Sequence, residues 1–436
     1  MASSDGPRIL ILGAGFAGVQ TALDLARLFP RERDARITLV DQYNFLLFTP
    51  MLVEVLAGQV DMLHIVSPTR QIHPRITFEQ GHIDHIDLAG KEVSLTTGGA
   101  DCDAASVRRT LQADHLVIAL GSSPEYYGIP GLRSHSLRMK DLCDAVSLRN
   151  RTLALFELAN AEPDSEVRRA MLSFVVGGGG FSGVETAAAL NDLVSGTAGY
   201  YPRVNPEDIT ITLVEALERL LPELSEGLAE YARKRLEQNG IRVMLKTKIA
   251  EAGVDFVRLE GRECIPAHTL IWTGGIGPAP IVGELECPHG RNGGVVVDQS
   301  CAVPGLPGVW ALGDCAQVPQ PGNGEPYAPT AQNATRQGKL VARNIHAALN
   351  GEPLQQISYK PVGELAALGR RSGVASIYGL HLSGFAAWFL WRTVYLLKLP
   401  RFRQRVRVGI DWGLDLLFGR EVVQVPTECF ISGMPE

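Results

Sequence analysis

The chain has no uninterrupted apolar run long enough to cross a bilayer. Its most apolar late segment, residues 384–399, is shorter than the ~20 residues a spanning helix needs and is broken by Arg392. There is no basic surplus either. Lys and Arg number 41 against 47 Asp and Glu, and a net charge of −6 argues against nucleic acid as the main partner. The ten histidines are scattered, without metal-ligand spacing. The cysteines, Cys102, Cys143, Cys264, Cys287, Cys301, Cys315 and Cys429, are odd in number and form no close pair. That pattern reads as reduced thiols in a cytosolic setting. Met1 to Arg8 runs straight into the first apolar segment, so no signal or transit peptide is expected ahead of the fold.

What is abundant is glycine in two ordered groups. Gly13-Ala14-Gly15-Phe16-Ala17-Gly18 follows the apolar run Ile9–Leu12, and Gly178-Gly179-Gly180-Phe181-Ser182-Gly183 follows Leu172–Val176. Each fits strand, tight turn, helix. The first glycine permits the turn, the second lets backbone approach a pyrophosphate, and the third lets helix pack on strand. The helix N-terminus then offers N–H groups and partial positive charge to phosphate. Two such motifs imply two bound dinucleotides, and the usual reason to hold two is to pass electrons between them. Each motif needs an acid at the end of its second strand to accept from ribose hydroxyls. Asp41 ends Ile37–Val40, and Glu215 ends Ile209–Val214. Glu215 lies 32 residues after Gly183, and the extra length is assigned to a loop from Ser195 to Pro206. A carboxylate there repels a 2′-phosphate, so NADH is expected over NADPH.

With 436 residues, 45% hydrophobic and 20% charged, the chain is large enough for two or three domains. Strand–helix alternation dominates residues 8–320 and predicts α/β layers with parallel sheets. Asp114–Ala119 leading to Gly121, and Thr269–Trp272 leading to Gly274-Gly275, read as strands at domain crossings, with the second glycine motif between them. The expected architecture is therefore two Rossmann-like domains, the second nested in the first: 7–123, 124–276 and 277–360, followed by a C-terminal region 361–436. Val309–Leu312 leads to Gly313-Asp314, which either presents a carboxylate and a free N–H to the first cofactor or is a surface turn.

The C-terminal region changes character. Residues 384–399 are aromatic and apolar with Arg392 and Lys398, and Arg401, Arg403, Arg405 and Arg407 follow. Val406, Ile410, Leu414 and Leu417 then form a helical stripe with Asp411 and Asp415 off it. Residues 384–426 carry seven Lys/Arg against three Asp/Glu. A short basic, aromatic segment suits a membrane interface, where each basic residue contributes ~1 kcal/mol near an anionic leaflet. A dimer interface, or a helix packed on the core, is the competing reading.

Taken together, these residues resemble the two-dinucleotide flavoproteins, and within them the type II NADH dehydrogenases. The resemblance spans nearly the whole chain. It is carried by Phe48–Val55, by Gly180–Glu185, by Pro329–Gly338 and by the amphipathic tail. It implies FAD at Gly13, Gly15, Phe16, Ala17, Gly18, Asp41, Thr49, Pro50, Gly121, Gly313, Asp314 and Ala331. It implies NADH at Gly178, Gly180, Phe181, Ser182, Gly183, Glu215 and Gly275. Glu185 is implied beside the nicotinamide, at a helix N-terminus expected to stabilise its anion. Gln332 is implied in the quinone pocket. The family often places a second glutamine one turn on, whereas this chain has Arg336, with Gln337 about 100° further around the helix. Arg336 either donates to a quinone carbonyl or is a structural ion-pair partner.

The resemblance thus implies two-electron transfer from NADH through FAD to a membrane quinone, without proton pumping. It also implies a homodimer held peripherally on the cytoplasmic face of a prokaryotic cell membrane. Disulfide reductases of the same fold need a close cysteine pair, which is missing. A sulfide:quinone oxidoreductase would need distant cysteines such as Cys143 and Cys315 to meet at the flavin, and has no use for the second motif. A flavin-based redox sensor or scaffold is the non-enzymatic alternative.

Overall fold

The computed structural model describes residues 6–98, 105–262, 264–359, 362–369, 371–418 and 422–425. Cys102, Cys429 and residues 426–436 of the C-terminal region lie outside them.

The first sheet is parallel throughout, in the order Val309–Ala311, His115–Ile118, Arg8–Leu12, Arg36–Asp41, Ile76–Gln80. Ile9–Leu12 at its centre is almost wholly buried, as a strand covered on both faces must be. The second sheet is also parallel, in the order Ser136–Leu137, Thr269–Trp272, Ser173–Gly177, Thr210–Val214, Ile241–Met244. All of it falls between two neighbouring strands of the first sheet, so the second α/β unit is nested in the first. The chain leaves and returns through one antiparallel pair, Ser122–Pro124 with Ile276–Pro278.

The stretch read as a loop after the second glycine motif is partly helical. The helix Phe181–Thr197 runs into it, and single turns occupy Ala198–Tyr200 and Pro206–Asp208. Leu190, Leu193 and Val194 are buried, and this apolar face continues the helix past the polar residues that signal a loop.

A three-stranded antiparallel sheet, Gly363–Ala367, Gly373–Ile377 and Leu380–Ser383, opens the C-terminal region. Two helices follow, Gly384–Lys398 and Phe402–Phe418. Neither is long and apolar enough to cross a membrane, nor is any other helix among the described residues. The tail shares its core with the body: Leu399, Val408 and Trp412 belong to the same buried cluster as Phe48–Ile65 and Val184–Leu193.

The second tail helix is two-faced. Gln404, Val408, Asp411 and Trp412 point inward. Asp411 accepts from the Asp61 backbone at 3.2 Å and pairs with His64 at 2.6 Å, while Gln404 bonds Ser67 and the Val66 carbonyl. Phe402, Val406, Ile410, Leu414 and Leu417 point outward and are all exposed, Phe402 and Leu417 by more than three-quarters.

Candidate functional site: two glycine cradles and an acid-lined chamber

The two glycine motifs fold into the same object. Gly13 and Gly178 have φ of +101° and +111°, open to glycine and strained for other residues. Their N–H groups donate to Val40 and Val214, each at 2.8 Å. Gly18 and Gly183 pack so closely that an added Cβ would lie 1.9 and 1.8 Å from the carbonyl oxygens of Gly13 and Gly178. At Gly15 and Gly180, by contrast, an added Cβ would meet nothing within 4 Å. Both residues are helix N-caps with ordinary extended backbone and no side-chain cap. That leaves N–H groups facing a cradle shaped for a diphosphate.

The acids also correspond. Asp41 accepts from Ala14 N at 2.6 Å and Tyr43 N at 2.8 Å. Glu215 accepts from Gly179 N, and from Leu217 N at 2.7 Å. Each carboxylate therefore first holds its own glycine loop. Burial pushes Asp41 up from the usual carboxylate value, against the backbone N–H groups that pull it down.

Around the first cradle, Phe16 meets Phe48 edge to face at 5.8 Å, and a one-turn helix, Thr49–Met51, carries Thr49 and Pro50. Gly121 and Gly313 have φ of +70° and +75°. An added Cβ at Gly313 would lie 3.2 Å from the Ala17 side chain. Asp314 accepts from the Ser122 hydroxyl at 2.8 Å, with Lys140 3.7 Å away. This set fits a flavin dinucleotide, with the diphosphate at Gly15 and a carboxylate at Asp314 for a second part of it. Around the second cradle, Phe181 is partly buried and Ser182 exposed on the first helical turn. Gly275 leaves room for Tyr127, whose hydroxyl would be 2.3 Å from an added Cβ.

The helix Ala331–Asn350 starts at a Thr330 cap, with Ala331 as its first residue. Gln332 spends its amide on the C-terminal sheet, accepting from Val362 N at 3.1 Å and donating to Gly363 O at 3.4 Å. Arg336 lies over the Tyr359 ring at 4.4 Å. Gln337 turns the other way, is 3% exposed, and accepts from Gly313 N at 2.7 Å. It braces the turn before Asp314.

Glu185, expected as an anion at a helix start, sits where burial opposes ionisation. Its Oε1 accepts from Ala367 N at 2.9 Å and from the Trp391 indole at 3.0 Å, and burial pushes its carboxyl up to about 8. Desolvation outweighs the helix terminus. Glu185 lines a chamber of about 410 Å³ between its helix and the tail.

A second acid lines the same chamber and was missed in the sequence. Glu54 is 5% exposed. It pairs with Arg392 at 3.6 Å and accepts from the Trp412 indole at 3.1 Å. Burial pushes it up to about 7, against Arg392. Arg392 was read as an interruption suited to the membrane interface. It is instead 7% exposed, clamped between the Trp388 and Trp412 rings at 4.4 and 4.5 Å. The signal was a charge in the middle of each of two apolar runs, Glu54 within Leu52–Leu56 and Arg392 within residues 384–397. The described cysteines are free; Cys315 is buried and Cys143 half-buried.

The family model for pyridine nucleotide-disulphide oxidoreductases matches residues 7–338, and that for the NDH2 C-terminal domain matches residues 362–421. The chain is 33% identical over 412 residues to a demethylphylloquinone reductase, NdbB, of Synechocystis sp., covering 93% of this chain and 95% of that one. It is 30% identical over 398 residues to a type II NADH:quinone oxidoreductase of Staphylococcus aureus, covering 90% and 95%. Its fold resembles NDH2 from Plasmodium falciparum solved with NADH, at a TM-score of 0.86 and 19% identity over 96% of this chain and 99% of that one. The chain belongs to the pyridine nucleotide-disulphide oxidoreductases, in the type II NADH dehydrogenase branch that ends in the NDH2 C-terminal domain.

Proposed function

We propose that this chain is a single-subunit NADH:quinone oxidoreductase that carries two electrons from NADH through FAD to a quinone at a membrane surface, without proton pumping. The observation that carries the reading is the pair of matching cradles at Gly15 and Gly180 on adjoining parallel sheets. FAD supplies the two-electron relay when bound. Asp41, the Gly15 N-terminus, the Thr49-Pro50 turn and Asp314 hold it in this reading. Glu215, Gly180 and Gly183 hold NADH and bring its nicotinamide toward Glu185. Gln332 and Arg336 belong to the quinone side, Gln332 by holding the Val362-Gly363 backbone and Arg336 by presenting a charge over Tyr359.

The test is anaerobic stopped-flow mixing with NADH and then a soluble quinone. Fast bleaching of the flavin followed by fast recovery is the expected result. Bleaching by sulfide but not by NADH would replace the reading with sulfide oxidation. Bleaching by NADH without recovery would favour a redox sensor.

The outward stripe of the second tail helix supports contact with a membrane surface. Apolar side chains of this size gain ~1.5–3 kcal/mol each on full burial. Changing Ile410→Glu and Leu414→Glu together should release the protein from the membrane fraction with flavin content and NADH bleaching unchanged. If the two changes instead convert a dimer into a monomer and leave membrane binding intact, the stripe serves a second copy.

A further inference from the structure

The donors that this chain can turn toward a quinone are charged. Gln332, the neutral donor, is tied at both ends of its amide to the C-terminal sheet, through Val362 N at 3.1 Å and Gly363 O at 3.4 Å. One turn further along the same helix stands Arg336. From the end of the first tail helix comes Lys398. A neutral quinone carbonyl needs only a neutral donor, whereas a pair of cations suits an oxygen that already carries negative charge.

We propose that Arg336 and Lys398 form a cationic binding pair for the acceptor, and that this acceptor is an acidic quinone, one whose ring hydroxyl is ionised at neutral pH. The inference rests on the NADH:quinone oxidoreductase reading above and deepens it by naming the charge class of the acceptor. A hydroxyl conjugated with a quinone carbonyl is a vinylogous acid, and its anion spreads the charge over two ring oxygens. The balance is NADH + 2 H⁺ + quinone anion → NAD⁺ + neutral hydroxyquinol. NADH is oxidised, the ring is reduced, and both protons come from solvent. Reduction removes the conjugated carbonyl, so the product is an ordinary neutral phenol. The cations therefore hold the substrate more tightly than the product, which favours release.

Four observations support it. First, each cation rests on a ring. The Arg336 guanidinium lies 4.4 Å over Tyr359, which stacks on Tyr327 at 4.6 Å and donates its hydroxyl to Asn333 at 2.7 Å. The Lys398 ammonium lies 5.8 Å from the Tyr395 ring. A cation on an aromatic face keeps its charge and loses freedom, which prepares it for a ligand. Second, the two cations are near enough to repel. Lys398 is an exposed residue, yet dehydration by its neighbours and then the Arg336 charge hold its ammonium below the ordinary lysine value. Like charges held together by the fold favour an anion beside them. Third, the nearby acid does not neutralise the pair. Glu364 lies on the strand that Gln332 holds; burial and then the Glu223 charge push it up, and neither cation offsets them. Among the described residues no acid counters Arg336 at Lys398. Fourth, the pair borders the first cradle from two sides. Tyr395 meets Phe48 at 6.1 Å and Phe48 meets Phe16 at 5.8 Å. On the other side Gln337, next to Arg336, accepts from Gly313 N at 2.7 Å.

The test uses the full-length, flavin-loaded protein and two naphthoquinones, neutral menadione and the hydroxyquinone lawsone, which is ionised at neutral pH. If NADH-reduced wild type recovers with neither, the underlying reading and this inference both fall. If it recovers with menadione and shows no lower KM for lawsone, only this inference falls. In Arg336→Gln the ratio of the lawsone KM to the menadione KM should rise about tenfold or more, as one charge-assisted hydrogen bond is lost. Arg336→Lys should keep most of the wild-type ratio. Binding of lawsone to the oxidised protein without NADH, followed by the absorbance of its anion, should weaken in parallel, a readout independent of turnover. A packing defect raises both KM values together, so an unmoved ratio overturns the proposal. If Arg336→Gln does not hold flavin, Lys398→Met takes its place. It should raise the ratio about threefold, and an unmoved ratio there overturns the proposal as well. Intact lawsone binding with weakened binding to phosphatidylglycerol vesicles also overturns it, and gives the pair to a lipid headgroup.

Discussion

Gly15→Val should yield a folded but colourless protein, and Gly180→Val a yellow one that NADH no longer bleaches. The same substitution produces two different losses because the cradles are alike and their ligands are not. Neither change should disturb the chain itself. Both positions have ordinary extended φ, −76° and −73°, and an added Cβ meets no atom within 4 Å. The branched side chain instead fills the open space over the helix N-terminus that a diphosphate would occupy in the proposed reading. A loss of at least ~100-fold in affinity, about 3 kcal/mol, is expected at each site. Flavin absorbance of the purified proteins, their melting temperatures, and NADH titration of the flavin provide the check. Normal bleaching of Gly180→Val would show that NADH binds elsewhere. The contrasting pair is Gly13 and Gly178, where positive φ and contacts of 2.2 and 2.6 Å to backbone make any side chain a folding defect.

Arg392→Met should destabilise the protein by an amount that grows with pH. In the wild type the folded-state value of Glu54 is raised from 4.5 to about 7. A raised carboxyl binds a proton in the folded state that the unfolded chain releases, so its contribution to stability falls as pH rises from the unfolded value through the folded one. Without Arg392 the folded value rises further and the falling window extends above 7. At about pH 5, where Glu54 is neutral in the fold, the loss is that of the two indole contacts, ~1–2 kcal/mol. At about pH 8.5 a buried carboxylate without its partner costs about 3–5 kcal/mol. Thermal unfolding at the two pH values measures the difference. An equal loss at both would mean that the ion pair contributes nothing beyond packing.

The parts of this molecule visible in the sequence are those governed by local rules. A buried strand, a turn that needs glycine and a helix that needs close approach fall within a dozen residues, so both cradles could be read directly. Glu215 was legible despite its distance from Gly183 because an apolar strand ending in an acid is itself a local pattern. The outward stripe was legible because Val406, Ile410, Leu414 and Leu417 repeat at helical spacing. The chamber was not. Glu54 and Arg392 are more than 300 residues apart, and each alone is a charge misplaced in an apolar run. Only folding puts them 3.6 Å apart. Glu185 was named from its helix start, whereas the burial that opposes its ionisation and the Trp391 indole that donates to it depend on where the tail folds. Gln332 was assigned to the quinone side by resemblance, and its hold on the Val362-Gly363 backbone could not be seen without the C-terminal sheet.

The nested topology has a consequence for how the protein is made. Leu116 lies beside Val309 in the first sheet, and Trp310 beside Val117. The ribosome must add some 190 residues between these partners, which takes ~10–40 s at ordinary synthesis rates. Throughout that interval His115–Ile118 is an open sheet edge, and Gly313, Asp314 and the Gln337 brace do not yet exist. The inserted unit, whose strands are all complete by Trp272, can form during this wait. Flavin capture therefore comes after most of the chain has been synthesised. A nascent chain stalled before residue 309 would carry a finished nicotinamide fold and an exposed apolar edge, the form in which this protein is most prone to aggregate.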